Sequence, residues 1–494
     1  MKQFLSPALV KQSLSSHSWL GIAVGAFMYL VCLSGSLLVF EHELEHWEQA
    51  DAPERHQVTP EQVQNAYSLL AAQVAAAEQE EEATDDDHHH HMFVMLPTAD
   101  RPHLTVASDD GSYFVNADGS LGDKVDSPWT QLLADLHLYL HLPKSFGMIV
   151  VSILGVMLCG LIISGFLSHP RIFKDAFTLR PKAATHLNQA DWHNRFSVWG
   201  APFHLMIGIT GAFFGLASLF VLIGAQAFFD GDTSRVVPAI YGAEPELEQP
   251  LQTAAVGTAL AQMPHIAPEA KPFYITVEDV GTEHQYILLG AEHPGRLIYA
   301  EQYRFDSAGN YLSKVGFSDG EAGRQAIFSV YRIHFGHYGG LLVKLAYVAL
   351  GLALAVISVS GINIWLAKRR QRDGLNNIWT AIVWGTPLAL GLTAVAQLAL
   401  GGSSKWIFWG VLVVAALLCQ WVDHHNRSKG LLQLASSLTL LAMVVLHTMA
   451  FGAYAWKAAP LGINLSLIVT ALLLLWRALA HISDNRNKVA ERTH

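Results

Sequence analysis

Eight apolar runs dominate this chain of 494 residues. Each run has roughly 20 residues, the length of α-helix that crosses the hydrocarbon core of a bilayer. Only 15% of the residues are charged, which is too few for an ordinary soluble enzyme. The expected fold class is therefore a polytopic α-helical membrane protein with about eight transmembrane helices. The runs lie near residues 20–40, 145–167, 198–224, 341–366, 378–400, 405–422, 430–452 and 460–482.

Basic residues set the expected orientation. Lys and Arg follow the second, fourth, sixth and eighth runs, and loops rich in these residues stay in the cytoplasm. We therefore expect a multi-pass protein of a bacterial inner membrane, in contact with the lipid bilayer, with both termini cytoplasmic. The basic residues are Arg171, Lys174, Arg180, Lys182, Lys368, Arg369, Arg370, Arg372, Arg427, Lys429, Arg477, Arg486, Lys488 and Arg492.

Two long connections should then face the periplasm. Helical spacing in residues 59–77 and 251–263 is followed by alternating apolar segments, which predicts an α+β module in each connection. The net charge of -10 comes mainly from acidic stretches in these connections, and nothing indicates nucleic acid as a partner. The predicted strands are 93–96, 104–107, 113–115, 273–277, 286–289 and 303–305.

The order of these segments predicts a duplicated unit followed by an additional helical region. A helix, an external module and a second helix occur twice between residues 17 and 366, as a parallel repeat. The expected organisation is an N-terminal segment with the first span (1–40), module 1 (41–136), two spans with a cytoplasmic loop (137–224), module 2 (225–333), a fourth span with a basic end (334–372), and four appended helices with a cytoplasmic tail (375–494).

Histidines recur at fixed distances before glycines inside the apolar part. Imidazole is costly in lipid unless it binds or relays something, so matched positions indicate ligation rather than packing. Taken singly, each of these histidines is more simply read as an interfacial hydrogen bonder. A spacing of 18 residues joins His17 to Gly35 and His193 to Gly211, and a spacing of 24 joins His141 to Gly165 and His337 to Gly361.

Two further spacings predict an outer site. His137 and His141 stand at i and i+4, which places both on one face of a helix, and His334 and His337 stand at i and i+3 where the fourth membrane helix opens. Facing neutral imidazoles suit haem iron or another transition metal. No Cys-x-x-Cys-His sequence occurs, so any haem is held non-covalently.

An inner site is predicted from histidines near the cytoplasmic face. His17, His169 and His193 stand at helix ends, and His204 lies near the middle of the membrane. No glycine-rich nucleotide loop occurs in the short internal loops, so NADH is not expected to bind this chain. Residues 85–91 form an acidic and histidine-rich tract, for which a solvated linker is favoured over a metal-scavenging site.

Several of these stretches resemble the PepSY-associated transmembrane proteins, in particular the PiuB-like, FoxB-type group. The resemblance covers residues 10–372 and leaves the last four helices outside. It is carried by ISG at 163–165, HPRIFKDAFTLRP at 169–181, WHN at 192–194, PFHLMI at 202–207, HFG at 334–336, SG at 360–361 and the basic end of the fourth helix.

The resemblance implies a four-helix core with two periplasmic PepSY-type modules and the activity of a di-haem ferric-siderophore reductase. Haem b is then the cofactor, with two groups per chain and no catalytic side chain of the protein's own. The implied ligand candidates are His137, His141, His169, His193, His204 and His334, with His17 and His337 added by the internal repeat.

Three classes of function remain open at this stage. The first is an electron conduit from a cytoplasmic donor or membrane quinol to a periplasmic ferric siderophore. The second is a transporter or binding protein in which the histidines handle a metal, protons or a siderophore. The third is a regulatory membrane protein whose PepSY-type modules bind partner proteins.

Overall fold

A computed structural model describes residues 6–80, 91–177, 185–369 and 371–490. The greater part of the acidic and histidine-rich tract, residues 85–90, lies outside the described residues, as do Arg180, Lys182, Arg370 and Arg492.

The described chain is mostly helical. Its α-helices are α1 (Pro7–Leu38), α2 (Glu41–Glu48), α3 (Pro60–Glu80), α4 (Pro128–Tyr139), α5 (Lys144–Ser168), α6 (Ile172–Asp175), α7 (Thr185–Gly215), α8 (Ala217–Phe228), α9 (Val236–Tyr241), α10 (Val256–Ile266), α11 (Ala322–Phe335), α12 (Gly340–Lys368), α13 (Gly374–Leu400), α14 (Lys405–Val422), α15 (His425–Phe451) and α16 (Ala458–Ala490).

The described residues also form eight strands: β1 (Met92–Met95), β2 (Thr105–Ser108), β3 (Gly111–Val115), β4 (Leu121–Lys124), β5 (Lys271–Glu278), β6 (Tyr286–Glu292), β7 (Glu301–Phe305) and β8 (Tyr311–Lys314).

Eight helices in the described ranges are long and apolar enough to cross a membrane, which confirms the predicted number. They are α1, α5, α7 and α12 to α16. The third predicted span, 198–224, is wrong at its end, because α7 stops at Gly215 and the apolar residues that follow form the separate helix α8. A side chain at Gly215 would overlap Ser152 of α5, so α7 and α5 are in close contact at the end of this span.

The chain divides into two compact units. The membrane unit consists of Met1–Ala50, Ser127–Leu216 and Gly339–His494, and the sheet unit consists of Asp51–Asp126 and Ala217–Tyr338. These limits differ from the segments expected from the sequence. Residues 41–50 and 127–136 belong to the membrane unit through α2 and α4, whereas residues 217–224 and 334–338 belong to the sheet unit.

The sheet unit is built around one antiparallel sheet rather than two separate modules. The strand order is β4-β3-β2-β1-β5-β6-β7-β8. The two connections meet where β1 pairs with β5, with Phe93 opposite Thr276 and Val94 opposite Ile275. Val94 and Ile275 are fully buried with the apolar face of α3, because alternate strand residues point to one side of a sheet.

In the membrane unit, the appended helices attach to the duplicated part through buried aromatic side chains. Tyr29 of α1 donates a hydrogen bond to the Val383 carbonyl of α13 at 2.6 Å. The Trp129 indole of α4 donates to the Leu390 carbonyl of α13 at 3.0 Å. Such bonds are favoured within a bilayer because the polar groups find no water there.

A second attachment lies within the same unit at α2. His447 of α15 stacks on Trp47 at 4.4 Å between ring centroids and donates from Nε2 to the Trp47 carbonyl at 2.7 Å. Asn464 of α16 accepts from the Trp47 indole at 2.9 Å. His447 and Asn464 are fully buried, and both serve to join helices.

The N-terminus of α4 is held by a buried carboxylate. Glu48 of α2, 9% exposed, accepts from the backbone N–H groups of Trp129 at 2.9 Å and Thr130 at 2.6 Å. These N–H groups have no partner inside the helix, and the positive end of the helix dipole favours an anion there. Glu48 thereby fixes the helix that carries His137.

We expect Glu48→Gln to lower the free energy of unfolding by about 1.5–3 kcal/mol, because the charged acceptor is lost and an amide N–H faces backbone donors. Thermal unfolding in detergent measures the change. The matched control is Glu246→Gln, which alters an exposed glutamate and should leave the midpoint unchanged. Equal midpoints for the two variants would contradict the role given to Glu48.

Candidate functional site

A cavity of about 420 Å³ opens between four helices of the membrane unit. Its walls come from α1, α5, α7 and α12, the two helix pairs of the internal repeat. The volume falls within the range of about 300–1,000 Å³ that small-molecule and cofactor sites occupy. Four histidines line it: His17, His169, His193 and His204.

Two of these imidazoles face each other across the cavity. His17 of α1 and His193 of α7 have ring centroids 6.3 Å apart and ring planes at 84°. They occupy equivalent positions in the two halves of the repeat. The pseudo-twofold axis of the four helices therefore relates one histidine to the other. The duplicated spacing in the sequence therefore brings these two residues together.

Both imidazoles are oriented by the same set of partners. His17 Nδ1 donates to the Leu161 carbonyl of α5 at 3.0 Å and lies 3.3 Å from the Ser164 hydroxyl. A carbonyl oxygen only accepts, so Nδ1 carries the proton and Nε2 keeps its lone pair.

The other half of the repeat reproduces this arrangement. His193 Nδ1 donates to the Ile357 carbonyl of α12 at 3.1 Å and lies 3.1 Å from the Ser360 hydroxyl. A ring nitrogen held in this way is what a metal-ligating histidine needs, because the bond fixes both the tautomer and the ring orientation.

The glycines next to these serines make room for the rings. A Cβ placed at Gly165 would lie 3.3 Å from His17 Cε1, and one at Gly361 would lie 3.4 Å from His193 Cε1. Each histidine therefore contacts the glycine of the neighbouring helix, although the repeated spacing had related it to a glycine farther along its own helix.

His204 and His169 line the same cavity in other ways. His204 is 1% exposed, and its Nε2 donates to the Leu350 carbonyl of α12 at 3.1 Å. His169 follows the end of α5, where its Nε2 lies 3.1 Å from Asp175. In both residues Nε2 is occupied, so neither presents the nitrogen that His17 and His193 leave available.

The prediction that His137 and His141 share one helical face is wrong. Helix α4 ends at Tyr139, and both Leu140 and His141 adopt left-handed backbone angles, with φ of 54° and 58°. Pro143 prevents the helix from continuing past this point, because proline has no N–H to donate to the Tyr139 carbonyl four residues earlier and its ring clashes with that carbonyl.

The two side chains consequently point to different partners. His137 Nδ1 donates to the Val31 carbonyl of α1 at 2.9 Å, and its ring fills the space beside Gly35. His141 Nε2 donates to the Leu132 carbonyl at 2.8 Å, and its ring packs on Phe408 of α14. Burial lowers the pKa of both imidazoles, which keeps them neutral, but only His137 repeats the Nδ1–carbonyl bond of the inner pair.

His334 and His337 belong to the sheet unit and flank a second helix break. His334 lies in the last turn of α11, which ends at Gly336 with a φ of 75°. The expectation that both residues open the fourth membrane helix is therefore wrong, since α12 starts at Gly340. Arg332 donates from Nε to the His337 carbonyl at 2.9 Å and holds that segment in place.

Sequence reasoning missed the residues that orient the histidines. Ser164 and Ser360 precede the glycines already noted, and each stands three residues after the carbonyl that shares its histidine. The signal was the repeated Ser-Gly pair. Glu48 and Lys368 were also missed as parts of a site, because single charged residues near a membrane face carry no distinguishing pattern.

The fold and cavity define a multi-pass membrane protein with a duplicated, histidine-bearing helix pair. The PepSY-associated TM region matches residues 14–368, and the chain belongs to that family. It is also 26% identical over 381 residues to an uncharacterized Pseudomonas aeruginosa protein, PA4219, an alignment that covers 71% of this chain and 94% of the relative. Helices α13 to α16 lie beyond the family match.

We expect Gly35→Ala to destabilise the protein by about 1–3 kcal/mol, because the added methyl group overlaps the His137 ring. Gly21→Ala, on the same helix, is the matched control, since its methyl group meets Leu161 at an ordinary 3.9 Å. Thermal unfolding of the two variants measures the difference. A Gly35→Ala protein as stable as Gly21→Ala would show that the ring does not occupy this space.

Proposed function

We propose that this protein is an inner-membrane di-haem oxidoreductase, which passes electrons across the membrane and reduces a ferric siderophore in the periplasm during iron uptake. The observation that carries the proposal is the facing pair His17 and His193, 6.3 Å apart with Nε2 free on both rings. The family membership agrees with the resemblance from which the activity was first expected.

The separation of the two rings fits one shared iron. An imidazole nitrogen lies about 2 Å from a bound first-row metal and about 1.1 Å from its own ring centre, so two imidazoles on one iron have ring centres roughly 6 Å apart. The observed 6.3 Å agrees with that value. The rings have this spacing without any rearrangement of α1 or α7.

The donor set favours iron in a macrocycle over a bare metal ion. A structural metal site usually has four protein ligands and a catalytic one three. Within the described ranges, no group of three or more His, Cys, Asp or Glu side chains comes together to hold an ion. A haem needs only the two axial ligands that His17 and His193 offer, because the porphyrin supplies the other four.

Residues of this chain would bind the haem, orient its histidine ligands and shield it from water. Haem, when bound, supplies reversible one-electron chemistry, and its potential depends on axial ligands and burial. The carbonyls of Leu161 and Ile357 hold the imidazoles in the required tautomer. Apolar side chains such as Met28, Leu158 and Leu354 line the deeper wall and keep water from the cofactor.

A second histidine that contacts α1 far from His17 supports a relay. His17 and Gly35, against which the His137 ring packs, are 18 residues apart on α1. That distance is about 27 Å at 1.5 Å per residue, close to the roughly 30 Å of a bilayer core. Two haems so placed divide the membrane into shorter electron steps. The participation of His334 or His337 at the outer level stays a prediction from the sequence.

The proposal also specifies the direction of electron transfer and the substrate that is reduced. The distribution of basic residues supports cytoplasmic termini, and with that orientation the PepSY-type part of the chain, residues 51–126 and 217–338, would face the periplasm. One electron converts Fe³⁺ to Fe²⁺, which a chelator built for the ferric ion holds far more weakly. The electron is supplied from the cytoplasm or by membrane quinol.

We expect the purified protein, expressed with ample haem supply, to show a low-spin Soret band and about two b-type haems per chain by pyridine haemochrome analysis. His17→Ala and His193→Ala should each remove one haem, because each deletes an axial ligand. His265→Ala, an exposed histidine of the sheet unit, is the control. A colourless, fully folded wild-type preparation would exclude the proposal.

The same spectra distinguish among the histidines that are candidate ligands of the outer haem. His137→Ala should remove the remaining haem, because the His137 ring packs against α1 beside Gly35. His141→Ala should retain it, because the His141 ring packs on Phe408 of α14 instead. His334→Ala tests the sequence-based prediction for that residue. Loss of haem in His141→Ala with retention in His137→Ala would reverse the assignment.

Reduction itself is measured by stopped flow. Dithionite-reduced protein in liposomes, mixed with ferrioxamine-type or catecholate-type ferric chelates on the side of the sheet unit, should be reoxidised faster than with the redox-inert gallium chelate. Equal rates for ferric and gallium chelates would disprove the reductase and favour transport or binding of the metal chelate.

A further inference from the structure

The inner cavity is polar at one end and apolar at the other. The starts of α1 and α7 and the ends of α5 and α12 meet at the same membrane face, because these helices alternate in direction. At that face the polar lining side chains beside the histidine pair are Ser18, Ser168, His169, Asn194, Ser197 and Lys368. Toward the middle of the membrane the lining is largely apolar, apart from the Ser358 hydroxyl, which donates to the Leu354 carbonyl, and the occupied imidazole of His204.

Lys368 gives the polar end its positive charge. It is the last residue of α12, it lines the cavity, and its side chain is exposed there. The next residue, Arg369, is engaged instead with Asp373 and packs on Trp365. His169 also lines this end, but its Nε2 is engaged with the Asp175 carboxylate at 3.1 Å.

Haem has the same asymmetry as this cavity. One edge of the porphyrin carries two propionate carboxylates, and the opposite edge is apolar. An ammonium group and neutral donors at the membrane face bind carboxylates well, since a hydrogen bond to a charged group is stronger than one between neutral groups. The apolar edge belongs at the other end, where water and charge are absent.

Resting on the proposed function, we propose that Lys368 binds the propionate carboxylates of the inner haem, with Ser18 and Asn194 as neutral donors beside it. Lys368 thereby sets the orientation of the cofactor, with its carboxylate edge toward the basic face of the membrane. It is a binding residue for the haem periphery, distinct from the axial pair His17 and His193.

The test compares haem retention in four proteins: wild type, Lys368→Met, Lys368→Arg and Lys11→Met. Lys11 is exposed on α1 near the same face but does not line the cavity, so its substitution removes an equal charge. Haem transfer to excess apomyoglobin measures retention, and the resonance Raman band of propionate bending reports the carboxylate contact.

Lys368→Met should keep the low-spin Soret band, because the axial ligands are intact, but release the inner haem about tenfold faster, with a shifted propionate band. Lys368→Arg should restore both readouts, and Lys11→Met should match the wild type. Equal release rates and bands in Lys368→Met and Lys11→Met would overturn the assignment while leaving the di-haem proposal in place. A wild-type protein without haem would overturn both.

Two further measurements address a variant that does not accumulate and a lysine that binds lipid instead of haem. If Lys368→Met does not accumulate, Lys368→Gln is measured in its place against the same control. Each protein is also examined in nanodiscs of zwitterionic lipid and of anionic lipid. An effect confined to anionic nanodiscs would show that Lys368 binds a lipid phosphate instead of the haem, and would overturn the inference.

Discussion

The hydrogen bond from a histidine Nδ1 to a backbone carbonyl of the next helix organises the membrane unit. Within the bilayer no water is present to accept a hydrogen bond from the ring N–H. The bond to the carbonyl therefore persists and fixes the orientation of the ring. The bond occurs at His17, His193 and His137. Each one joins two helices and sets the tautomer of its imidazole, and at His17 and His193 it leaves Nε2 for another partner.

Much of this fold was predictable because lipid imposes simple rules. The number of spans followed from the apolar runs, and most strands followed from alternation. The joining of both halves into one sheet was not predictable, since β1 and β5 carry no sequence signal for each other. The end of α7 was also missed, because apolar residues continue without interruption into α8.

The candidate site was predictable in composition but not in detail. The repeat identified His17 and His193, yet it related the glycines to the wrong helix. His137 and His141 looked equivalent by helical spacing until the break before Pro143 turned them apart. The nitrogen that is occupied in each ring depends on which carbonyl the fold brings next to it, Val31 for His137 and Leu132 for His141. Helical spacing does not predict these contacts.

The pairing of β1 with β5 has a consequence for biosynthesis. Strand β1 ends at Met95, and β5 begins at Lys271, after two membrane spans have been made. Until then the β1 edge is an unpaired row of backbone donors and acceptors, which invites pairing with other chains. Synthesis of α5 and α7 thus precedes closure of the sheet, so the β1 edge stays open while both spans are made.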